Sequence, residues 1–119
     1  MEARTPRPGE PVRGSESGRP VMAALDLLGR RWTLRILWEL SQAPAGFREL
    51  QRRCERMSSS VLSTRLGELT DARVLALRGD GYHLTQLGRD LVDALRPLSA
   101  WSQRWAGETD SEPTEEPPH

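Results

Sequence analysis

Between Pro20 and Gly29 the apolar residues Val21, Leu25 and Leu28 form one helical stripe with Ala24 beside it. Proline suits the first turn of a helix and glycine its end. A second helix is predicted from Trp32 or Thr33, with Trp32, Ile36, Leu37 and Leu40 on one face. Gln42-Ala43-Pro44-Ala45-Gly46 breaks that pattern as a loop. A third, short helix follows from Phe47 to about Arg53, with Phe47 and Leu50 inward and Arg48, Arg52 and Arg53 outward.

Ser58, Ser59 or Ser60 can cap a fourth helix, because a serine oxygen accepts from free backbone N–H groups. Along it Leu62, Leu66 and Leu69 repeat at i, i+4, i+7 and must face a core. The opposite stripe, Ser60, Ser63, Thr64 and Gly67, is small throughout, so the backbone can come close to whatever it faces. Val74 to Arg78 reads as a strand, Gly79-Asp80-Gly81 as a turn and Tyr82-His83-Leu84 as the return strand. Thr85 can cap a last long helix carrying Leu87, Leu91, Leu95, Leu98, Trp101 and Trp105 on one side, with Pro97 interrupting it. Helix, turn, helix with a small polar outer face, hairpin, helix is the plan of a winged helix-turn-helix: mainly α with a small β-hairpin. Its second helix is shaped for a DNA major groove.

Composition sets the limits of that domain. All four Trp, Phe47 and Tyr82 lie between positions 32 and 105 of the 119 residues. Residues 1–19, rich in Pro, Gly, Ser and Arg, and residues 107–119, rich in Glu, Pro and Thr, read as disordered. The folded domain is expected at 20–106.

The net charge of zero conceals segregation. Residues 21–106 hold 13 Arg against 9 acids, whereas 107–119 hold 5 acids and no Arg. A basic core with an acidic tail fits a nucleic-acid binder whose tail competes for the basic face. A tail that only keeps the chain in solution is the simpler reading and is preferred. Every cation is Arg, with no Lys and no Asn, a bias that suggests a GC-rich genome. Phosphate contacts must then come from Arg, which can grip bidentately, or from neutral donors. No apolar run spans a bilayer and no signal peptide is recognisable, so a cytoplasmic location and no membrane contact are expected. Cys54 is alone, which excludes an intrachain disulfide.

Ala24-Leu25-Asp26-Leu27-Leu28-Gly29-Arg30-Arg31-Trp32-Thr33-Leu34, with Ile36-Leu37 and Leu40, resembles the HxlR-type winged helix-turn-helix regulators, a bacterial group related to MarR repressors. Phe47 with Glu49-Leu50, Leu62, Arg65-Leu66, Glu68-Leu69, Tyr82, Leu84-Thr85, Leu87-Gly88 and Trp101 extend the resemblance over about 20–105. It implies a homodimer built from the first and last helices, here Val21 to Leu28 and Leu87 to Trp105, that binds inverted repeats in double-stranded DNA near promoters. Three departures stand out. The wing is shorter than usual, with Gly-Asp-Gly between Arg78 and Tyr82, and reaches less of the minor groove or backbone. Redox-sensing members carry a Cys just before the first helix, where this chain has Gly18-Arg19-Pro20, so a thiol switch of that kind is unsupported. The recognition helix shows Ser and Thr where such proteins often have longer polar residues.

The candidate DNA-binding residues are Arg30, Arg31, Arg48, Ser59, Ser60, Ser63, Thr64, Arg65 and Arg78. Serine and threonine hydroxyls can donate or accept at either base pair, so their code is soft. Arg65 lies at the edge of the helix face, toward the core. Phosphate contact, with base contact also open to it, and an ion pair with a carboxylate such as Glu68 or Glu49 account for it equally. Arg30, Arg31 and Arg48 are expected to touch phosphates, steepening salt dependence rather than setting sequence preference. A solvated surface explains any one of them as well; as a set with Arg78 the phosphate role is preferred.

His83 reads as a surface or structural histidine, and Cys54 as packed rather than reactive. Neither supports a metal site, and no cofactor is expected. The four Trp are expected in the core and dimer seam, the alternative being a pocket for a small-molecule effector. No phosphate loop or nucleophile–base set points to an enzyme. The leading reading is therefore a dimeric regulator, a repressor acting by occlusion. The alternative is a protein-interaction adaptor on a winged helix with weakened DNA binding.

Overall fold

The computed structural model describes residues 5–10 and 19–110 of the chain. Eight elements follow in order: α1 Pro20–Leu28, α2 Thr33–Gln42, α3 Phe47–Arg53, α4 Ser59–Asp71, β1 Leu75–Arg78, β2 Gly81–Leu84, α5 Gln86–Leu95 and α6 Pro97–Asp110. Helix α2 is central. Its Thr33, Ile36, Leu37 and Leu40 are buried, and the last three join Leu50, Leu62, Leu66, Leu69 and Leu75 in one core.

Local chemistry sets most element ends. Pro20 occupies the first turn of α1 and Gly29 caps it. Ser58 Oγ accepts from the Val61 amide at the start of α4, and Thr85 Oγ1 from the Gly88 amide at the start of α5. Helix α4 ends with Arg73 in the left-handed region (φ 66°). The Arg73 amide donates to the Thr70 carbonyl and the Val74 amide to the Leu69 carbonyl, the double bond pattern that closes a helix at such a residue.

The strands pair antiparallel, Leu75 opposite Leu84 and Arg78 opposite Gly81, leaving Gly79-Asp80 as the loop. The α2–α3 connection adds one more rung: Ala45 exchanges both backbone hydrogen bonds with Tyr82. Gly81 takes φ 127° against Ala45, and a Cβ there would sit 2.6 Å from the Ala45 carbonyl carbon, so only glycine fits.

On α1, Val21 and Leu25 point outward, 55% and 58% exposed, while Ala23 and Leu27 are buried and Leu28 is half-buried against the core. Two expectations change. Arg53, expected outside, turns back to donate to the carbonyls of Glu39, Ala43 and Pro44 and fastens the α2–α3 loop. Helix α6 runs to Asp110, four residues past the expected domain end. Pro97 does interrupt the last helix, dividing it into α5 and α6 at Arg96. Of the N-terminal arm, residues 5–8 and Glu10 line a cleft together with residues of α1, α4 and α5. Pro6 is buried and Arg7 pairs with Asp71 at 3.2 Å. Expectations for residues 1–4, 11–18 and 111–119 lie outside the described residues.

Candidate nucleic-acid interface

Helices α3 and α4 with the turn between them form the motif. The turn is tight because Glu55 and Arg56 both adopt positive φ, 59° and 62°, and because the Arg56 amide returns to the Gln51 carbonyl at 2.8 Å. The Gln51 side chain donates to the Met57 carbonyl and braces the same turn. Cys54 closes α3 and is wholly buried. Burial pushes its thiol pKa up, which keeps it protonated and a poor nucleophile.

Leu62, Leu66 and Leu69 hold α4 to the core. Its other side presents Ser59, Ser60, Ser63 and Gly67 to solvent with Thr64 half-buried. No long side chain stands on that stripe, so a groove-bound α4 would bring its backbone close to the bases. Arg31, Arg48 and Arg78 are exposed and, among the described residues, make no ion pair. Arg31 sits in the α1–α2 turn, Arg48 in the first turn of α3, and Arg78 at the end of β1. Arg56, in the turn leading into α4, is a further exposed cation without an ion pair. Nothing in its spacing sets it apart in the sequence. Across the wing loop His83 Nε2 lies 2.7 Å from Asp80 Oδ1. That bond, first, holds the Asp80 carboxyl below its ordinary pKa.

Two of the nine candidate residues face inward. Arg30 was expected on phosphate. Its side chain is only 3% exposed, bonded to Glu68 at 2.6 Å and Asp26 at 3.3 Å. A guanidinium enclosed by two carboxylates is spoken for, and the phosphate role is corrected. For Arg65, left open between DNA and an ion pair, the geometry gives the pair: Nη1 to Glu68 at 2.9 Å, with Nε donating to the Arg31 carbonyl at 2.8 Å. Glu68 bonds both arginines and Asp26 holds Arg30; the sequence offers Glu68 only as one partner for Arg65 and gives Asp26 no role. The signal available was weak: a glutamate among the leucines of a buried helix face.

The arrangement defines a winged helix-turn-helix, a DNA-binding fold of transcriptional regulators. The chain belongs to the HxlR-like helix-turn-helix family, whose model matches residues 27–110. It is 31% identical over 90 residues to YvaP, an HTH-type transcriptional regulator of Bacillus subtilis, spanning 69% of this chain and 82% of that one. The crystal structure of quinone-bound YodB from B. subtilis superposes with a TM-score of 0.65 at 30% identity, covering 71% of this chain and 97% of YodB. A MarR-family regulator from Enterococcus faecalis gives 0.66 at 25% identity, covering 82% and 96%. The protein is thus a transcriptional regulator with a helix-turn-helix DNA-binding fold, in a family of regulators rather than enzymes. Among the described residues no helix is long and apolar enough to cross a membrane.

Proposed function

We propose that the protein is a repressor that binds an inverted-repeat operator as a homodimer. One α4 from each copy enters successive major grooves about one helical turn apart, and the dimer blocks polymerase. The observation that carries this reading is the face of α4, an exposed stripe of Ser59, Ser60, Ser63 and Gly67 backed by fully buried leucines. Thr64 lies at its margin. Arg31, Arg48 and Arg78 contact phosphates beside it, supplying affinity and orientation, while the hydroxyls read bases loosely. The place of work is the cytoplasm, with the DNA. A small-molecule effector would enter the groove of about 420 Å³ between α2 and the α5–α6 pair, walled by Leu34, Leu37, Trp38, Val92 and Leu98.

Selection of sheared genomic DNA by the purified protein at moderate salt, followed by sequencing, tests the reading. Recovery of an inverted repeat beside promoters is expected. Recovery of background alone would overturn it in favour of a protein-interaction adaptor using the same α4 face.

A further inference from the structure

Asp26, Arg30, Glu68 and Arg65 form a continuous chain of charge-assisted bonds under the recognition helix. Asp26 Oδ2 to Arg30 Nη2 is 3.3 Å, Arg30 Nη1 to Glu68 Oε2 is 2.6 Å, and Glu68 Oε1 to Arg65 Nη1 is 2.9 Å. The four side chains are 9%, 3%, 8% and 11% exposed. Two cations and two carboxylates balance, as burial of charge requires. Such clusters add little stability over apolar packing of the same volume, so stability alone does not account for one here. What this one does is geometric. It joins α1 through Asp26, the α1–α2 turn through Arg30, and α4 through Glu68 and Arg65.

The last bond of the chain is the telling one. Arg65 Nε donates to the backbone carbonyl of Arg31 at 2.8 Å, the residue whose own side chain is exposed. The next residue, Trp32, is held at φ 76°, a left-handed conformation that a bulky side chain resists. The Thr33 amide then closes the turn onto the Arg30 carbonyl at 3.1 Å. A strained turn keeps one conformation only where its surroundings over-determine it, and here α4 itself supplies the restraint.

We propose that Arg65, Glu68 and Arg30 are positioning residues that fix Arg31 against the recognition helix and touch no DNA themselves. The inference rests on the DNA-binding reading above. The arginine that reaches phosphate is set by the helix that reads the groove, so backbone contact and base contact arrive in one register. Arginine is required at 65 because two separate nitrogens of one planar group, Nε and Nη1, donate to the carbonyl and the carboxylate, positions that the single nitrogen of a lysine cannot both occupy.

Binding to a duplex carrying the selected operator is measured against salt for the full-length protein and for Arg31→Ala, Arg65→Met, Arg65→Lys and the double variant Arg31→Ala with Arg65→Met. Arg31→Ala should weaken binding on the order of tenfold and lower the salt slope by about 0.9. Arg65→Met should weaken it comparably, and the double variant no further than Arg31→Ala alone, the non-additivity of one residue acting through another. Arg65→Lys should behave like Arg65→Met and speed exchange of the Thr33 amide roughly tenfold. Additive losses, or rescue by lysine, would place Arg65 on phosphate and overturn the proposal. Undiminished affinity in a variant with lowered Tm would reduce the cluster to a cement. If Arg65→Met does not fold, the lysine variant decides by the same two readouts. Failure of the unsubstituted protein to bind any duplex would sink the DNA-binding reading and the proposal with it. An unchanged Thr33 exchange rate would separately sink the pinning of the turn.

Discussion

Gly88, in the first turn of α5, faces the Val74 carbonyl so closely that a Cβ there would drive into the oxygen. That oxygen already accepts from the Thr85 amide at 3.0 Å and the Thr85 hydroxyl at 3.1 Å, so it has no room to withdraw. Gly88→Ala is expected to lower stability by about 2 kcal/mol through forced displacement of the wing from α5. A urea titration would show an earlier midpoint with an unchanged slope. An unshifted midpoint would mean that the junction yields. In the sequence Gly88 is one residue of a matching motif. The reason for it is a carbonyl fourteen positions back, which no local pattern contains. The same blindness governs Arg30 and Arg31. Two adjacent arginines follow a helix end, and only the fold decides that the first points at Glu68 and the second at solvent.

Element boundaries were far more legible, because each is written in local chemistry. Pro20, Gly29, the serines before α4, Thr85 and Pro97 mark where helices begin, end or break, and the structure keeps all of them. Inward faces followed where periodicity was unambiguous, as along Leu62, Leu66 and Leu69. On α1 periodicity gave a stripe but not its direction: Val21 and Leu25 lie outside while Ala23 and Leu27 are buried, since amphipathicity cannot say which of two apolar surfaces a helix serves. For the candidate site the outer stripe of α4 was readable, but of the charge chain beneath it only the Arg65–Glu68 pair was, and that as one of two readings. At this scale the salt dependence of DNA binding divides the labour between elements. Arg48→Ala in α3 and Arg78→Ala in the wing should each lower the slope of affinity against salt by about 0.9 with little change in preferred sequence. An unchanged slope for Arg78→Ala would mean that the wing, with only Gly79-Asp80 as its loop, stays clear of the backbone.

The whole molecule has more apolar surface than one copy can use. Helix α6 contributes 14 residues and none of them is buried, although an isolated helix of that length is marginal in water. Leu98, Trp101 and Trp105 on it are about half exposed, with the two indoles stacked at a centroid distance of 5.4 Å. Val21 and Leu25 on α1 and Leu87 on α5 add to the exposed set. Large exposed apolar surface of this kind marks an interaction site, and the proposed homodimer supplies its cover. The full-length protein should therefore sediment at twice 13.4 kDa, with its tryptophan emission shifted to the blue relative to a monomer. Trp101→Glu combined with Trp105→Glu should return it to the monomer mass, leaving the core from α2 to β2 intact because neither indole reaches it. Losing the partner turns one bivalent encounter into two separate ones, so operator affinity should fall on the order of a hundredfold or more while half-site binding persists. A double variant that remains dimeric would place the seam elsewhere. One that is monomeric yet binds the operator undiminished would separate dimerisation from DNA recognition, leaving α6 to serve another partner.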